Sequence, residues 1–291
     1  MNFNFNFFKY RYIAFVFSIF ILLISICLFL YKNLNLGIDF KGGTMVEAKF
    51  QTPPDLASLR ADIDSLMIGN SEIQEFGDSE TVLIKLEKTD DPEVNQEQII
   101  QKLKSTLDES VDYRRIEFVG PKVGNELKSV AIKAIIFSLL AMFAYIWFRF
   151  AGWQFGLGAL IALFHDVIST IGFFSLSQIE FNLASIAAIL TIAGYSINDT
   201  VVVFDRIREN LIKSEKNLQD LLNLSINQTL SRTLMTSITT ILALLALFIF
   251  GGEVVKGFVS AMMWGVLIGT YSSIFIASPL IILFGFSRSK D

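Results

Sequence analysis

Six apolar blocks set the rhythm of the chain. Tyr12 to Tyr31 supplies 20 residues without a charge, the length a helix needs to cross bilayer hydrocarbon. Lys9 and Arg11 before it resemble the opening of a signal peptide. The apolar stretch is too long for one and no small-residue cleavage site follows, so it reads as an uncleaved anchor. Further blocks run from Ser129 to Phe148, Phe155 to Leu176, Leu183 to Phe204, Thr233 to Gly252 and Gly257 to Phe286. Lys133 lies near enough to the end of its block to snorkel, and Pro279 bends or ends the last one.

The long polar interval, residues 32–128, carries a different periodicity. Thr44 to Phe50 alternates as a strand does, and Pro53-Pro54 opens a helical pattern through Leu56, Leu59, Ile63, Leu66 and Met67. Glu72 to Phe76 and Thr81 to Glu87 read as strands around the turn Gly77-Asp78-Ser79. Ile99, Ile100, Leu103 and Leu107 share a second helical face, and Arg114 to Val119 closes as a strand before Gly120-Pro121. The order β-α-β-β-α-β is that of a ferredoxin-like unit. The expected architecture is a multi-pass α-helical membrane protein with six transmembrane helices and one α+β ferredoxin-like domain. Its parts are residues 1–31 (N-terminus and first span), 32–128 (the domain), 129–286 (a five-helix bundle) and 287–291 (a tail). Within the bundle, the connection 205–232 carries Leu218, Leu221, Leu222, Leu224, Ile226 and Leu230 among Asn, Gln and Ser. It either lies as an amphipathic helix on the membrane face or packs against span ends.

Composition narrows the function classes. Of 291 residues, 53% are hydrophobic and 18% charged, with mean hydropathy +0.54, against about 25% charged for a soluble domain. Residues 32–133 hold 13 Lys/Arg and 19 Asp/Glu, an acidic module that does not suit nucleic acid. The single cysteine, Cys27, excludes an intrachain disulfide and a thiolate metal site. With the N-terminus in the cytoplasm, the inner connections and termini hold ten Lys/Arg, including Arg149, Arg206, Arg208 and Arg232. The two short outer loops hold only Lys256. The positive-inside rule then places both termini in the cytoplasm and the ferredoxin-like domain on the far side.

Candidate chemistry lies where polar residues enter the spans, because hydrocarbon makes them costly. His165-Asp166 sits at the middle of the third block, and Asn198-Asp199-Thr200 lies past the centre of the fourth. Arg232 opens the fifth. Each has a plain reading beside the functional one. Asp199 can be a bundle-holding carboxyl, His165 and Asp166 a satisfied pair, and Arg232 an interfacial anchor. Gly37 to Thr44 (GIDFKGGT) only superficially resembles a phosphate loop, since no Gly-Lys-Ser/Thr follows four spacers; no nucleotide, cofactor or metal is expected. Gly265 and Gly269 form a GxxxG pair suited to helix packing. No hydrolase constellation is present.

The run Gly194-Tyr195-Ser196-Ile197-Asn198-Asp199-Thr200-Val201-Val202-Val203-Phe204-Asp205-Arg206-Ile207-Arg208-Glu209-Asn210 resembles the fourth-span signature of the SecF branch of the SecD/SecF family. Four more segments resemble that family in the same order: Gly37-Ile38-Asp39-Phe40 with Gly42-Gly43-Thr44, Arg115 to Pro121, His165-Asp166-Val167, and Gln228-Thr229-Leu230 with Arg232-Thr233. The resemblance implies a non-enzymatic subunit of the Sec accessory complex in the bacterial inner membrane. It implies membership of the RND superfamily, pairing with SecD, and work beside the SecYEG channel and YajC on an unfolded polypeptide in transit, driven by the proton-motive force. The family's proton path falls on Asp199 and Arg232, with His165, Asp166, Asn198 and Thr200 as supporting polar residues. A carboxylate from SecD would complete the relay. The alternative is a subunit of a proton-driven RND-type small-molecule exporter; those usually carry larger outer domains and a second membrane half.

Overall fold

The computed structural model describes residues 5–66, 69–87, 96–107, 110–150, 152–213 and 217–284. Met67, Lys216 and the expected tail 287–291 lie outside the described residues. A 3-10 turn, Phe7–Tyr10, leads into α1 (Arg11–Lys32). A one-turn helix α2 (Ile38–Lys41) then precedes β1 (Gly43–Lys49), α3 (Leu56–Ser65), β2 (Ser71–Phe76), β3 (Asp78–Glu87), α4 (Gln96–Thr106) and β4 (Asp112–Val119). The strands form one antiparallel sheet in the order β2-β3-β1-β4, which is the ferredoxin-like arrangement the periodicity predicts.

Alternation explains which sheet face is covered. Val46, Ala48, Val82, Ile84 and Leu86 point to one side and pack with Leu59 and Ile63 of α3 and Ile99 and Leu103 of α4. Asp55 starts α3 by accepting hydrogen bonds from the amides of Ala57 and Ser58, satisfying donors that a helix start leaves open. The β2–β3 turn is tighter than the sequence suggests: Gly77 alone separates the strands, at φ 80°.

The remaining helices are α5 (Pro121–Phe150), α6 (Trp153–Ser177), α7 (Leu183–Lys213), α8 (Leu218–Phe250), α9 (Glu253–Ser272) and α10 (Ser278–Leu283). A π-turn, Ser273–Ala277, joins the last two. Among the described residues, six helices are long and apolar enough to cross a membrane, the sixth being α9 through α10. The backbone thus stays helical past Pro279. The wider turn just before it accommodates a residue that lacks an amide donor. The third, fourth and sixth spans are 61%, 50% and 67% buried over their most apolar stretch, against 11% for α8; α6, α7 and α9 therefore form the centre of the bundle. The stretch 218–230 is the first part of α8 rather than a separate surface helix. Its Leu221, Leu222, Ile226 and Leu230 join Phe204 and Ile207 in one buried cluster, so it packs against span ends.

Domain and bundle meet through the segment after α1. Leu36 pairs with Phe181 as an isolated parallel bridge. The Gly37 amide donates to the Phe181 carbonyl at 2.9 Å, and the Phe181 amide donates to the Asn35 carbonyl at 2.7 Å. Asp39 Oδ2 accepts the Leu183 amide at 2.9 Å and so caps α7. Gly42 has φ 83°, and a Cβ on Gly43 would overlap the Leu86 carbonyl; the paired glycines let the chain turn sharply into β1. Lys85 of β3 forms an ion pair with Glu180 across the junction. The sheet's second face, with Met45, Glu47, Glu72 and Leu83, overlooks a cavity of about 660 Å³ above the bundle.

Candidate functional site

The centre of the bundle carries polar side chains contributed by three helices. Close packing brings them together: a Cβ on Gly265 would overlap Ile192, and one on Gly269 would lie 2.9 Å from Ser196 Cβ. The two glycines of the GxxxG pair thus let α9 approach α7 at the level of the polar residues.

Asp166 on α6 is fully buried. Its Oδ2 accepts hydrogen bonds from Ser196 Oγ of α7 at 2.6 Å and from Ser272 Oγ of α9 at 2.8 Å. Its Oδ1 lies 3.0 Å from His165 Nδ1. His165 is buried as well, and its Nε2 has no partner among the described residues. A second set of hydroxyls continues from there. Ser273 Oγ, at the start of the π-turn, contacts Thr200 Oγ1 at 2.8 Å and the Ser196 carbonyl at 3.2 Å. The adjacent residues Ser272 and Ser273 therefore tie the sixth span to α6 and to α7 at once.

Asp199 follows one turn after Ser196 on α7. It is 2% exposed, and its Oδ2 has no hydrogen-bond partner among the described residues. Arg232 of α8 interacts with it electrostatically, but the two form no ion pair among the described residues, and Arg232 is exposed. The hydroxyls of Tyr195 and Thr233 are also buried without partners among the described residues. Asn198 lies on the exposed face of α7.

The structure therefore splits the six candidate residues of the sequence. His165, Asp166 and Thr200 belong to a hydrogen-bonded core, whereas Asp199 and Arg232 stand apart from it and Asn198 faces outward. Sequence reasoning did not single out Ser272, Ser273 or Thr233. The available signal was the recurrence of hydroxyl residues inside apolar blocks, where each needs a partner. Chemically, a buried carboxyl oxygen without a partner is an unsatisfied acceptor, whose lone pairs a proton, a water or a donor from another chain can engage.

Comparison with known proteins gives concordant results. Residues 98–287 match the family described as protein export membrane protein SecD/SecF, C-terminal, and residues 34–54 match the SecD/SecF GG motif. The chain is 47% identical over 253 residues to the protein translocase subunit SecF of Rickettsia felis, covering 86% of this chain and 82% of that one. It is 44% identical over 259 residues to the corresponding subunit of Desulfurispirillum indicum, with 86% and 82% covered. Among solved structures it is similar to SecDF, a translocon-associated membrane protein from Thermus thermophilus, with TM-score 0.81 and 35% identity. That match covers 97% of this chain and 38% of that one, so this chain spans well under half of the SecDF polypeptide. A SecDF structure in a super-membrane-facing form matches with TM-score 0.74 and 34% identity, over 98% of this chain and 39% of that one.

Proposed function

This chain belongs to the SecD/SecF family of protein export membrane proteins, and from that premise we propose that it acts as the SecF-type subunit of a protein translocase in which Asp199 carries the proton that drives export. The chain is a multi-pass membrane protein and an accessory transport component. Its partner is a SecD-type subunit, which would supply the second carboxylate of the relay, and the complex works beside the SecYEG channel and YajC on unfolded chains. Both termini lie in the cytoplasm and the sheet domain outside it. The clustering of Arg149, Arg206, Arg208 and Lys213 at the bundle end away from the sheet supports this orientation.

The observation that carries the reading is the open Oδ2 of Asp199, buried in a span yet left without a partner. Arg232 sits on the neighbouring helix, close enough to interact electrostatically and too far to form an ion pair. Bringing the guanidinium nearer stabilises the ionised carboxyl and releases its proton, and withdrawing it favours uptake. With water reaching the two sides in turn, this cycle moves a proton across the bundle. Each charge crossing the full potential supplies about 2.3 kcal/mol per 100 mV, enough to bias a domain between two closely balanced positions. His165, Asp166 and Thr200 serve as the hydrogen-bonded support for this site, and Asn198 as its outward-facing polar neighbour.

The test is export driven by a proton gradient in vesicles, measured with subunit level and complex formation in each variant. Asp199→Asn should assemble normally and lose the proton-dependent part of export. Asp199→Glu should keep some of it, since the group still titrates. Normal proton-dependent export by Asp199→Asn would falsify the relay.

A further inference from the structure

A second feature lies at the other flank of the bundle, away from Asp199. α1 packs along α6, while α5 packs along α6 and α7, and a cavity of about 440 Å³ lies where α1 and α5 diverge. Phe29 of α1, Ala131 and Ile135 of α5, Ile171 of α6 and Ile189 of α7 line it. Its size falls within the range of small-molecule pockets, about 300–1,000 Å³.

Among the described residues, only two polar ones, Asn33 and Lys128, line this groove, and no carboxylate does. Asn33 ends α1 and Lys128 stands where α5 enters the apolar block, so both lie at the level where the spans meet the membrane surface. Lys128 forms no ion pair or hydrogen bond among the described residues. Ile135 is seven residues further along α5, about 10 Å deeper at the helical rise. The groove therefore has a free cation at its mouth and hydrocarbon below. That is the profile of a ligand with one anionic head and one apolar tail. A membrane-embedded groove meets such ligands at high local concentration, and a nearby Lys favours anionic lipid by about 1 kcal/mol.

We propose that this groove is a binding site for an anionic phospholipid, one acyl chain lying between α1 and α5 and the phosphate on Lys128 and Asn33. The unpaired charge distinguishes a lipid from an apolar protein helix. A helix filling the groove would leave Lys128 at its mouth without a counter-charge, whereas a phosphate supplies one. This site is independent of Asp199, so either proposal can fail alone.

The experiment is native mass spectrometry of the purified complex of this chain with its SecD-type partner. Dioleoyl-phosphatidylglycerol or dioleoyl-phosphatidylcholine is titrated in mild detergent. One phosphatidylglycerol should be retained per copy of this chain, about fivefold more tightly than phosphatidylcholine. Lys128→Ala should remove that preference, and Lys122→Ala, on the exposed face of α5 and outside the groove, should leave it unchanged. Ala131→Phe should expel both lipids by filling the groove, and Ile135→Trp gives the same reading if Ala131→Phe does not assemble. Phosphatidylglycerol bound at the wild-type level by the assembled filled-groove variant would overturn the site. An unchanged preference in Lys128→Ala would overturn the head-group assignment. Displacement of the lipid by inorganic phosphate alone would also overturn the proposal, since it would mean that the apolar chain contributes nothing.

Discussion

Asp166 and Asp199 are the same residue type in adjacent spans and are equally hidden, 0% and 2% exposed. Their surroundings are opposite. Asp166 holds two serine hydroxyls and a histidine nitrogen from three directions, while one oxygen of Asp199 holds nothing among the described residues. Burial therefore does not separate the two carboxyls; hydrogen-bond satisfaction does. A carboxyl with both oxygens engaged resists any change of charge or position, because each change breaks a bond that hydrocarbon cannot replace. A carboxyl with an open oxygen is free to respond to what approaches it.

Exchanging the chemistry of the two positions tests that contrast. Asp166→Ala strands Ser196, Ser272 and His165 together and should cost about 3 kcal/mol of stability. The amount of assembled complex and its unfolding temperature would register the loss. Asp166→Asn keeps an acceptor for the two serines and should recover most of it. At Asp199 the order reverses: the Asn substitution should leave unfolding unchanged and remove proton-dependent export. If Asp166→Ala assembles as wild type, or if Asp199→Asn unfolds early, the distinction between the two carboxyls collapses.

Arg232→Lys comes next in size. It preserves the charge but loses the rigid fork of the guanidinium, so export should fall partly, with normal assembly. The smallest effect belongs to Glu72, at the junction cavity. Burial first, and then repulsion by Glu180, holds its carboxyl above the usual carboxylate range, with Lys85 offsetting part of this. The folded chain thus keeps a proton on Glu72 at pH values where the unfolded chain has released it. Stability must then fall as pH rises through that interval, by under about 1 kcal/mol for a half-exposed group. Glu72→Gln should flatten that decline in thermal unfolding between about pH 4 and pH 7; an unchanged slope would assign it to another group.

Much of the architecture was legible because it rests on periodicity. The four strands and their order follow from alternating residues such as Val82, Ile84 and Leu86, and the spans follow from length and hydropathy. The π-turn was not legible, because Pro279 announces a break and only packing shows that the preceding turn widens to absorb it. Nor could the pattern place residues 218–230, whose leucines suit a membrane surface as well as a protein groove. At the polar site, sequence marked both aspartates for the same physical reason and could not tell them apart. The difference lies in Ser196 and Ser272, small hydroxyl residues whose importance depends on what stands opposite them.

The cap that Asp39 places on α7 has a mechanical consequence. At 31 residues, α7 is about 46 Å long, and its first amide is gripped by the segment that also turns into the sheet. Asp199 lies 16 residues along, roughly 24 Å from that grip. A tilt of the helix by about 5° at Leu183 displaces the carboxyl by about 2 Å, more than the margin between a hydrogen bond and none. The sheet domain and the carboxyl are thus joined by one helix, with Asp39 at its hinge.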